Sequence, residues 1–266
     1  MRPLAPVVTL VVVLVSLAWS ALGLAGATQS PQPTQAPAKA GAKGVAVVTG
    51  ANRGIGLEFA RQLKAEGYEV VGTARNPDEA KELAALGVRV MQLDVTDAAS
   101  VARLAEALKV APIELLVNNA GVTGGGASIE AMDIEGARRA FEVNAIGPMR
   151  VTQALLPHLK AGSRRMVVSI SSRLGSIAKN ESGGYAGYRE SKAALNMFMR
   201  SLSVEMKPSD FICIAMSPGW VRTDMGGSSA TLSPEESVSG MLRTLHALTP
   251  KDSGRYLSHD GTELPW

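Results

Sequence analysis

Residues 45–56 read Val45-Ala-Val-Val-Thr-Gly-Ala-Asn-Arg-Gly-Ile-Gly56. A short β-branched run leads directly into a glycine-rich turn, and an amphipathic segment, 57–66, follows the turn. A strand, a glycine turn and a helix in this order bring backbone N–H groups and a helix N-terminus to one point, where a pyrophosphate can bind. The spacing is G-x-x-x-G-x-G and not the common G-x-G-x-x-G, so the prediction of a dinucleotide site depends on the flanking strand and helix.

The same alternation of strand and helix continues along the chain. Strands are predicted at 69–73, 88–93, 115–117, 166–170, 211–216 and 254–257, and helices at 78–86, 98–110, 186–207 and 234–248. Strands separated by helical segments form right-handed βαβ units and a parallel sheet that is covered on both faces. The sequence therefore predicts an α/β, doubly wound Rossmann fold with a mostly parallel sheet of about seven strands and helices on both faces.

The composition is that of a globular chain with one core. The chain has 266 residues, of which 46% are hydrophobic and 19% charged. The net charge is only +3, and basic and acidic residues are interspersed, so a nucleic-acid partner is not expected. The 3 histidines do not lie at ligand spacing from a cysteine or an acid, so no metal site is expected either.

The first residues are predicted to lie outside the domain. Arg2 precedes an almost wholly apolar run, 4–25, that ends in small residues, so 1–27 is predicted to be a secretory signal peptide. The run is also long enough to span a bilayer, which leaves an N-terminal membrane anchor or a misassigned start codon as alternatives. Residues 28–43, rich in Pro, Gln, Ala and Gly, are predicted to be a flexible linker, and 44–266 the folded domain.

The second predicted strand ends in Thr73-Ala-Arg75, where an NAD-dependent enzyme usually has an acid that accepts the ribose hydroxyls. Arg75, together with Arg53 in the glycine turn, could instead hold a 2′-phosphate by charge-assisted hydrogen bonds. Both side chains could also be ordinary exposed arginines. The pattern favours NADP(H) over NAD.

Polar residues follow the next two predicted strands, in Asp94-Val95 and in Asn118-Asn-Ala-Gly121. The ligand crevice of a doubly wound sheet lies outside the carboxyl ends of its strands, so both groups are expected on the cofactor side. Asp94 could also be a helix cap, although Asp97 already offers one. The residues predicted to contact the cofactor in this half are Gly50, Asn52, Arg53, Gly54, Ile55, Gly56, Arg75, Asp94, Val95, Asn118, Ala120 and Gly121.

A possible catalytic pair occurs in Tyr188-Arg-Glu-Ser-Lys192, downstream of the serine pair Ser171-Ser172. On one helix, Tyr188 and Lys192 lie on the same face about a turn apart. A nearby cation stabilises a phenolate and lowers the phenol pKa from about 10, so Tyr188 could act as a general acid or base. Tyrosine and lysine at this spacing also occur by chance on many solvated helices, so the interpretation depends on the rest of the chain.

The glycine turn, Asn-Asn-Ala-Gly, the serine pair and Tyr-x-x-x-Lys occur here in one order, and together they resemble the classical short-chain dehydrogenases/reductases across residues 44–266. The details are most similar to the carbonyl-reductase-like subgroup that includes C-factor and Sniffer-type proteins. They are found in Ser171-Ser-Arg-Leu-Gly-Ser-Ile177, in 184–196 and in the ending Asp260-Gly-Thr-Glu-Leu-Pro-Trp266.

The resemblance implies a catalytic tetrad. Asn144 matches an asparagine whose backbone holds a water of a proton relay, and Ser172 matches the serine that polarises the substrate carbonyl. Tyr188 matches the proton donor, and Lys192 the residue that binds the nicotinamide ribose and lowers the tyrosine pKa. The further cofactor contacts that the resemblance implies are Pro218, Gly219, Val221 and Thr223, with Tyr188 and Lys192 themselves.

Two assignments have rivals in the sequence. Tyr185 stands at the spacing from the serine that many family members use, but Arg189 and not a lysine follows it, so Tyr188 is favoured and Tyr185 is assigned to the substrate pocket. The loop 173–187 is then longer than usual. Adjacent strand residues face opposite ways, so only one of the two serines can point into the site; Ser172 fits the family pattern and Ser171 stays open.

The expected function is an NADP(H)-dependent interconversion of an aldehyde or ketone and an alcohol, with a small-molecule substrate. The alternative is a dinucleotide-binding sensor or signalling protein with little turnover. Residues 222–232 are expected to form a lid over substrate and cofactor, with an ordinary loop as the alternative. A homo-oligomer through the helices that contain Asn144 and Tyr188 is expected from relatives. The signal-like start predicts a secreted, periplasmic or membrane-anchored location, which conflicts with the use of NADP in the cytoplasm.

Overall fold

The computed structural model describes residues 43–109 and 111–266. The predicted signal peptide or anchor at 1–27, and the predicted linker except for its last residue, lie outside the described residues. Lys43 already belongs to the fold, because its amide donates to Gly67 O at 3.1 Å and its ammonium lies 3.3 Å from Glu66 Oε2. Among the residues described here, no helix has both the length and the apolar character needed to cross a membrane.

The described strands form one sheet of seven strands in the order β3-β2-β1-β4-β5-β6-β7. Every neighbouring pair is parallel, so the predicted fold is confirmed with a sheet that is wholly and not mostly parallel. The chain moves outward from β1 to β3, returns to β4 beside β1, and then proceeds to the other edge. The strands are β1 (Val45–Val48), β2 (Glu69–Ala74), β3 (Arg89–Gln92), β4 (Ile113–Asn118), β5 (Met166–Ile170), β6 (Ile212–Ser217) and β7 (Tyr256–Ser258).

Helices cover both faces of this sheet. They are α1 (Gly54–Ala65), α2 (Lys81–Ala85), α3 (Ala98–Leu108), α4 (Ile134–Phe141), α5 (Gly147–Ala161), α6 (Tyr188–Glu205) and α7 (Pro234–Ala247). Residues of α1, α2 and α7 pack in the core on one face, and residues of α3, α5 and α6 pack in the core on the other. Strand β1 serves both cores, because Ala46 and Val48 face the first while Val47 faces the second.

Two segments differ from the sequence prediction. The helix predicted at 78–86 is divided into a 3₁₀ turn, Pro77–Glu79, and α2, because the buried Ala80 between them has φ −83° and ψ 48°, outside the helical region. Periodicity did not predict α4 and α5. A π-helical turn, Glu142–Ile146, joins them and contains Asn144; π turns are frequent at functional sites.

Candidate active site

A cavity of about 1120 Å³ opens beside the carboxyl ends of β1 and β4, where the strand order reverses. This is the edge at which doubly wound sheets bind their ligands. Most of the residues predicted to contact a cofactor border it: Gly50, Asn52, Arg53, Gly54, Ile55, Gly56, Arg75, Asp94, Val95, Ala120, Gly121, Tyr188, Lys192, Pro218 and Thr223.

The glycine turn is built by close approach of its backbone to the end of β4. A Cβ on Gly56 would collide with the Gly50 carbonyl oxygen, and one on Gly50 would lie 2.9 Å from Ala120 Cα. Asn119 Nδ2 donates to Gly50 O at 3.0 Å. Helix α1 begins at Gly54, and no side chain caps its first N–H groups, which face the end of the cavity. This cradle fits the diphosphate of a dinucleotide.

Asn118 was predicted to contact the cofactor, but it does not border the cavity. Its side chain is buried, and Nδ2 donates to Thr152 Oγ1 at 3.1 Å and to Ser169 Oγ at 3.4 Å. Asn118 therefore ties β4 to α5 and β5, while the next residue, Asn119, borders the cavity. Two other predicted contacts, Gly219 and Val221, also lie outside the lining.

Basic side chains border the part of the cavity near the glycine turn. Arg53 Nη1 lies 3.0 Å from Asp224 Oδ2, and both side chains are largely exposed, at 71% and 77%. Burial raises the pKa of Asp94, but hydrogen bonds from Thr96 and the charges of Arg75 and Arg139 outweigh it, so this pKa lies below its ordinary value. Arg75 is exposed and has no ion pair among the described side chains. Arg53 and Arg75 can therefore bind a phosphate in addition to the diphosphate at the glycine turn, and neither charge has to be buried.

Tyr188 and Lys192 lie at the inner end of the cavity. Tyr188 is the first residue of α6, and Lys192 follows one turn later with Nζ 5.7 Å from the centre of the phenol ring. Lys192 Nζ donates to Ile170 O, the last residue of β5, at 2.8 Å. The predicted helix thus brings both groups to one face, against the end of the strand that precedes the serine pair.

Burial shifts the pKa values of both groups in this pair. Burial raises the pKa of Tyr188, and a hydrogen bond with Ser172 opposes the shift without reversing it. Complete burial lowers the pKa of Lys192 from 10.5 to about 8. Desolvation outweighs the hydrogen bond from Ser172, and the lowering of the tyrosine pKa that the resemblance implies for Lys192 stays a prediction.

The two serines have different partners. Ser171 is buried, and its hydroxyl donates to Asn196 Oδ1 at 2.6 Å, so its proton is engaged although the residue borders the cavity. Ser172 Oγ accepts a hydrogen bond from Leu174 N at 3.2 Å and interacts with the Tyr188 phenol. An oxygen that accepts from the backbone keeps its own hydrogen to donate. Ser171 borders the cavity and Ser172 does not, so the choice of Ser172 as the group that contacts a substrate oxygen stays a prediction that its free hydroxyl hydrogen supports.

Asn144 clamps the loop that follows β4. Its Oδ1 accepts from Val122 N at 2.9 Å, and its Nδ2 donates to Val122 O at 2.9 Å and to Ser191 Oγ at 3.0 Å. A Cβ on Gly121 would lie 3.3 Å from Asn144 Oδ1 and 3.7 Å from Lys192 Nζ. Asn144 itself is wholly buried and does not border the cavity. Its side chain fixes the loop beside Tyr188 and Lys192.

Two loops complete the rim. Tyr185 is 59% exposed and does not border the cavity, which leaves its assignment to the substrate pocket without support. The buried Arg189 holds the loop before Tyr188, because its Nε donates to Gly183 O at 3.1 Å and to Gly184 O at 3.0 Å. Of the predicted lid, residues 222–225 border the cavity, and the Arg53–Asp224 pair joins this loop to the glycine turn.

Sequence reasoning missed one wall of the cavity. It is formed by residues in and around α4: Asp133, Glu135, Gly136, Arg138, Arg139, Glu142 and Val143. No motif marks this helix. Its approach to the site is visible only in the packing, where a Cβ on Gly187 would lie 2.6 Å from Ala137 Cα.

Comparison with known proteins agrees with this geometry. The family described as short chain dehydrogenase matches residues 44–232. The C-signal of Myxococcus xanthus is 48% identical over 155 residues, which is 58% of this chain and 93% of that protein.

Solved structures match over the whole domain. The NADPH-bound carbonyl reductase from chicken fatty liver is 37% identical with a TM-score of 0.79, and the match covers 85% of this chain and 99% of that one. Carbonyl reductase Sniffer of D. melanogaster is 33% identical with a TM-score of 0.79, and the match covers 85% and 100%. The resemblance to the carbonyl-reductase-like subgroup is confirmed.

The buried cation gives a prediction about stability. The pKa of Lys192 is about 8 in the folded chain and 10.5 otherwise, so below pH 8 the lysine is charged in both states and the folded state bears the desolvation cost. Lys192→Met should therefore raise the free energy of unfolding at pH 7 by about 3 kcal/mol, less what is lost with the bond to Ile170 O. The gain should shrink as the pH rises from 8 to 10.5, where the lysine becomes neutral in both states.

Urea denaturation at pH 7 and at pH 10 measures this gain. Lys160→Met, at an exposed lysine of α5, is the control and should change stability little at either pH. A Lys192→Met protein that is less stable than wild type at pH 7 would show that the hydrogen bond to Ile170 O outweighs desolvation.

Proposed function

Because the chain belongs to the short-chain dehydrogenase family, we propose that it is an NADP(H)-dependent oxidoreductase that interconverts an aldehyde or ketone and an alcohol. One observation carries the proposal: a single cavity joins the glycine cradle at one end to Tyr188 and Lys192 at the other. The chicken carbonyl reductase, which is described as bound to NADPH, supports the choice of cofactor.

The residues of the cavity fit a nicotinamide dinucleotide. The uncapped N-terminus of α1 and the turn around Gly54 would hold the diphosphate. Arg75 would bind the 2′-phosphate, and Arg53 can join it because an exposed ion pair such as Arg53–Asp224 is worth only about 0–1 kcal/mol and is easily exchanged. Lys192, at the inner end, would hold the ribose next to the nicotinamide. When bound, this cofactor supplies the hydride for reduction or accepts it in oxidation.

The side chains supply the proton chemistry. Ser172 donates a hydrogen bond to the carbonyl oxygen of the substrate and holds it beside the Tyr188 phenol. In reduction, Tyr188 gives its proton to that oxygen as negative charge develops there, and a phenolate remains. The charged form of Lys192, which prevails below a pKa of about 8, stabilises the phenolate until the proton is replaced.

The alternative of a dinucleotide-binding sensor is not favoured. A protein that only senses a dinucleotide needs the glycine cradle, but it does not need a phenol and an ammonium that border the same cavity, with the Ser172 hydroxyl beside the phenol. The homo-oligomer and the secreted or membrane-anchored location stay predictions.

The proton donor can be tested by Tyr188→Phe. The turnover number for reduction of aldehydes, ketones and quinones, followed as NADPH oxidation at 340 nm, should fall by about 100- to 10,000-fold, the usual contribution of a general acid. NADPH binding, measured by fluorescence, should persist because the ring remains. Tyr185→Phe is the matched control and should retain wild-type turnover. Loss in the Tyr185 variant with retention in the Tyr188 variant would reverse the assignment.

The choice of cofactor can be tested by Arg75→Ala. The KM for NADPH should rise by about 10- to 100-fold, because one charge-assisted hydrogen bond to the 2′-phosphate is lost. The KM for NADH should not change, since NADH lacks that phosphate. Arg103→Ala, at an exposed arginine of α3 that does not border the cavity, is the control. Equal effects on both cofactors would contradict the proposed role.

A further inference from the structure

Tyr256 is a buried tyrosine whose hydroxyl reaches the strand end that carries the proposed catalytic serine. It is the first residue of β7, the edge strand, and its side chain is wholly buried. Its hydroxyl donates a hydrogen bond to the carbonyl oxygen of Ser172. None of the motifs that mark the active site in the sequence includes this residue.

Ser172 is held by hydrogen bonds at two points. Its carbonyl oxygen accepts from Tyr256 and also from Gly175 N, at 2.8 Å, while its side-chain oxygen accepts from Leu174 N. Two amides of the short 3₁₀ turn Arg173–Gly175 therefore bind Ser172, one at its carbonyl oxygen and one at its side-chain oxygen. Because the serine oxygen is fixed to a backbone amide of this turn, a rotation of the peptide after Ser172 would move the hydroxyl.

The same turn packs on the catalytic helix. A Cβ on Gly175 would lie 2.8 Å from Lys192 Cβ, so the turn and α6 are in direct contact. Asn196, one turn after Lys192, donates from Nδ2 to Gly175 O at 3.2 Å and accepts from Ser171 at 2.6 Å. A shift of the turn would therefore disturb the distance between the Ser172 hydroxyl and the Tyr188 phenol.

The ring of Tyr256 is itself fixed from the other side. Trp266 stacks on it, with ring centres 5.3 Å apart and planes inclined by 24°. The backbone oxygen of Trp266 accepts from Ala178 N at 2.9 Å, and Ser176 Oγ donates to Pro265 O at 2.7 Å. Residues 264–266 thus connect the Tyr256 ring to the segment that follows the 3₁₀ turn. Burial raises the pKa of Tyr256 to about 12, so its hydroxyl remains a donor at every physiological pH.

We propose that Tyr256, with Trp266 stacked on it, is a positioning residue that holds the Ser172 hydroxyl in line with the Tyr188 phenol. This inference rests on the proposed function for its kinetic consequence, and on the hydrogen bonds around Ser172 for its geometry. Tyr256 does not border the cavity, so its effect on the reaction would pass through Ser172.

The kinetic test compares Tyr256→Phe with Ser172→Ala and with the double variant. Phenylalanine keeps the buried ring and its stack on Trp266 and removes only the hydroxyl. The turnover number should fall about 5- to 20-fold with an unchanged KM for NADPH, and by no more than about twofold when Ser172 is already alanine, because residues that act through one group are not additive. Tyr68→Phe, at a buried tyrosine outside the cavity, is the matched control.

A second measurement does not require turnover. The chain has 4 tyrosines, so ring ¹³C labelling gives a spectrum simple enough to follow Tyr188 as the pH is raised. Because Ser172 lowers the pKa of Tyr188, both Tyr256→Phe and Ser172→Ala should move this titration to higher pH, while Tyr68→Phe should leave it in place. Trp266→Ala, at the partly exposed end of the stack, should move it in the same direction by less.

The outcomes separate the two proposals. A loss of turnover in Tyr256→Phe that persists undiminished in the Ser172→Ala background would show a general structural role and overturn the inference, as would an unchanged Tyr188 titration. A wild-type protein that reduces no carbonyl would overturn the proposed function, and the Tyr188 titration would still decide whether Tyr256 positions Ser172.

Discussion

The contact between the glycine turn and the end of β4 is the constraint on which the rest of the site depends. Gly50 meets Ala120 and Gly56 meets the Gly50 carbonyl at distances that leave no room for a Cβ. Asn119 then fixes the turn by donating to the same carbonyl. This contact places the start of α1 against the end of β4, and the cavity opens beside the two strand ends that it joins. A side chain at either glycine would meet these protein atoms and force the turn away from the end of β4.

The part of the site that contains Tyr188 and Lys192 depends in turn on β5 and α6. The parallel register carries the end of β5 to the same edge as the ends of β1 and β4, so Ile170 O is available to Lys192 and the serine pair lies beside Tyr188. This arrangement costs stability, because it buries the Lys192 ammonium against a carbonyl oxygen. Within the described chain, no carboxylate pairs with it. Such a group destabilises a fold and is retained where chemistry needs it. The apolar cores on both faces of the sheet offset this cost.

The sequence predicted what is local and periodic. β-Branched runs predicted the strands, and the glycine turn with its flanking strand and helix predicted the cradle. The sequence prediction failed where tertiary packing determines which residues border the cavity. Asn118 and Asn119 are adjacent and chemically identical, yet only the register of β4 sends the first into the core. The pattern of α4 is amphipathic like that of any surface helix, so nothing in it indicated a wall of the cavity. The pKa of Tyr188 depends on desolvation, which a sequence motif does not record.

Burial moves the pKa values of Tyr188 and Lys192 apart, because it raises that of the phenol and lowers that of the ammonium. The pKa of Tyr188 is raised above that of a free phenol and the pKa of Lys192 is lowered to about 8, so at neutral pH the site holds a protonated phenol next to an ammonium. A phenol that must give up a proton benefits from a cation that is already charged, whereas alcohol oxidation requires the phenolate at the start. Burial disfavours the phenolate and the ammonium alike, yet at neutral pH both groups keep their protons. In the proposed reduction, the proton donor would therefore begin the reaction in its protonated form.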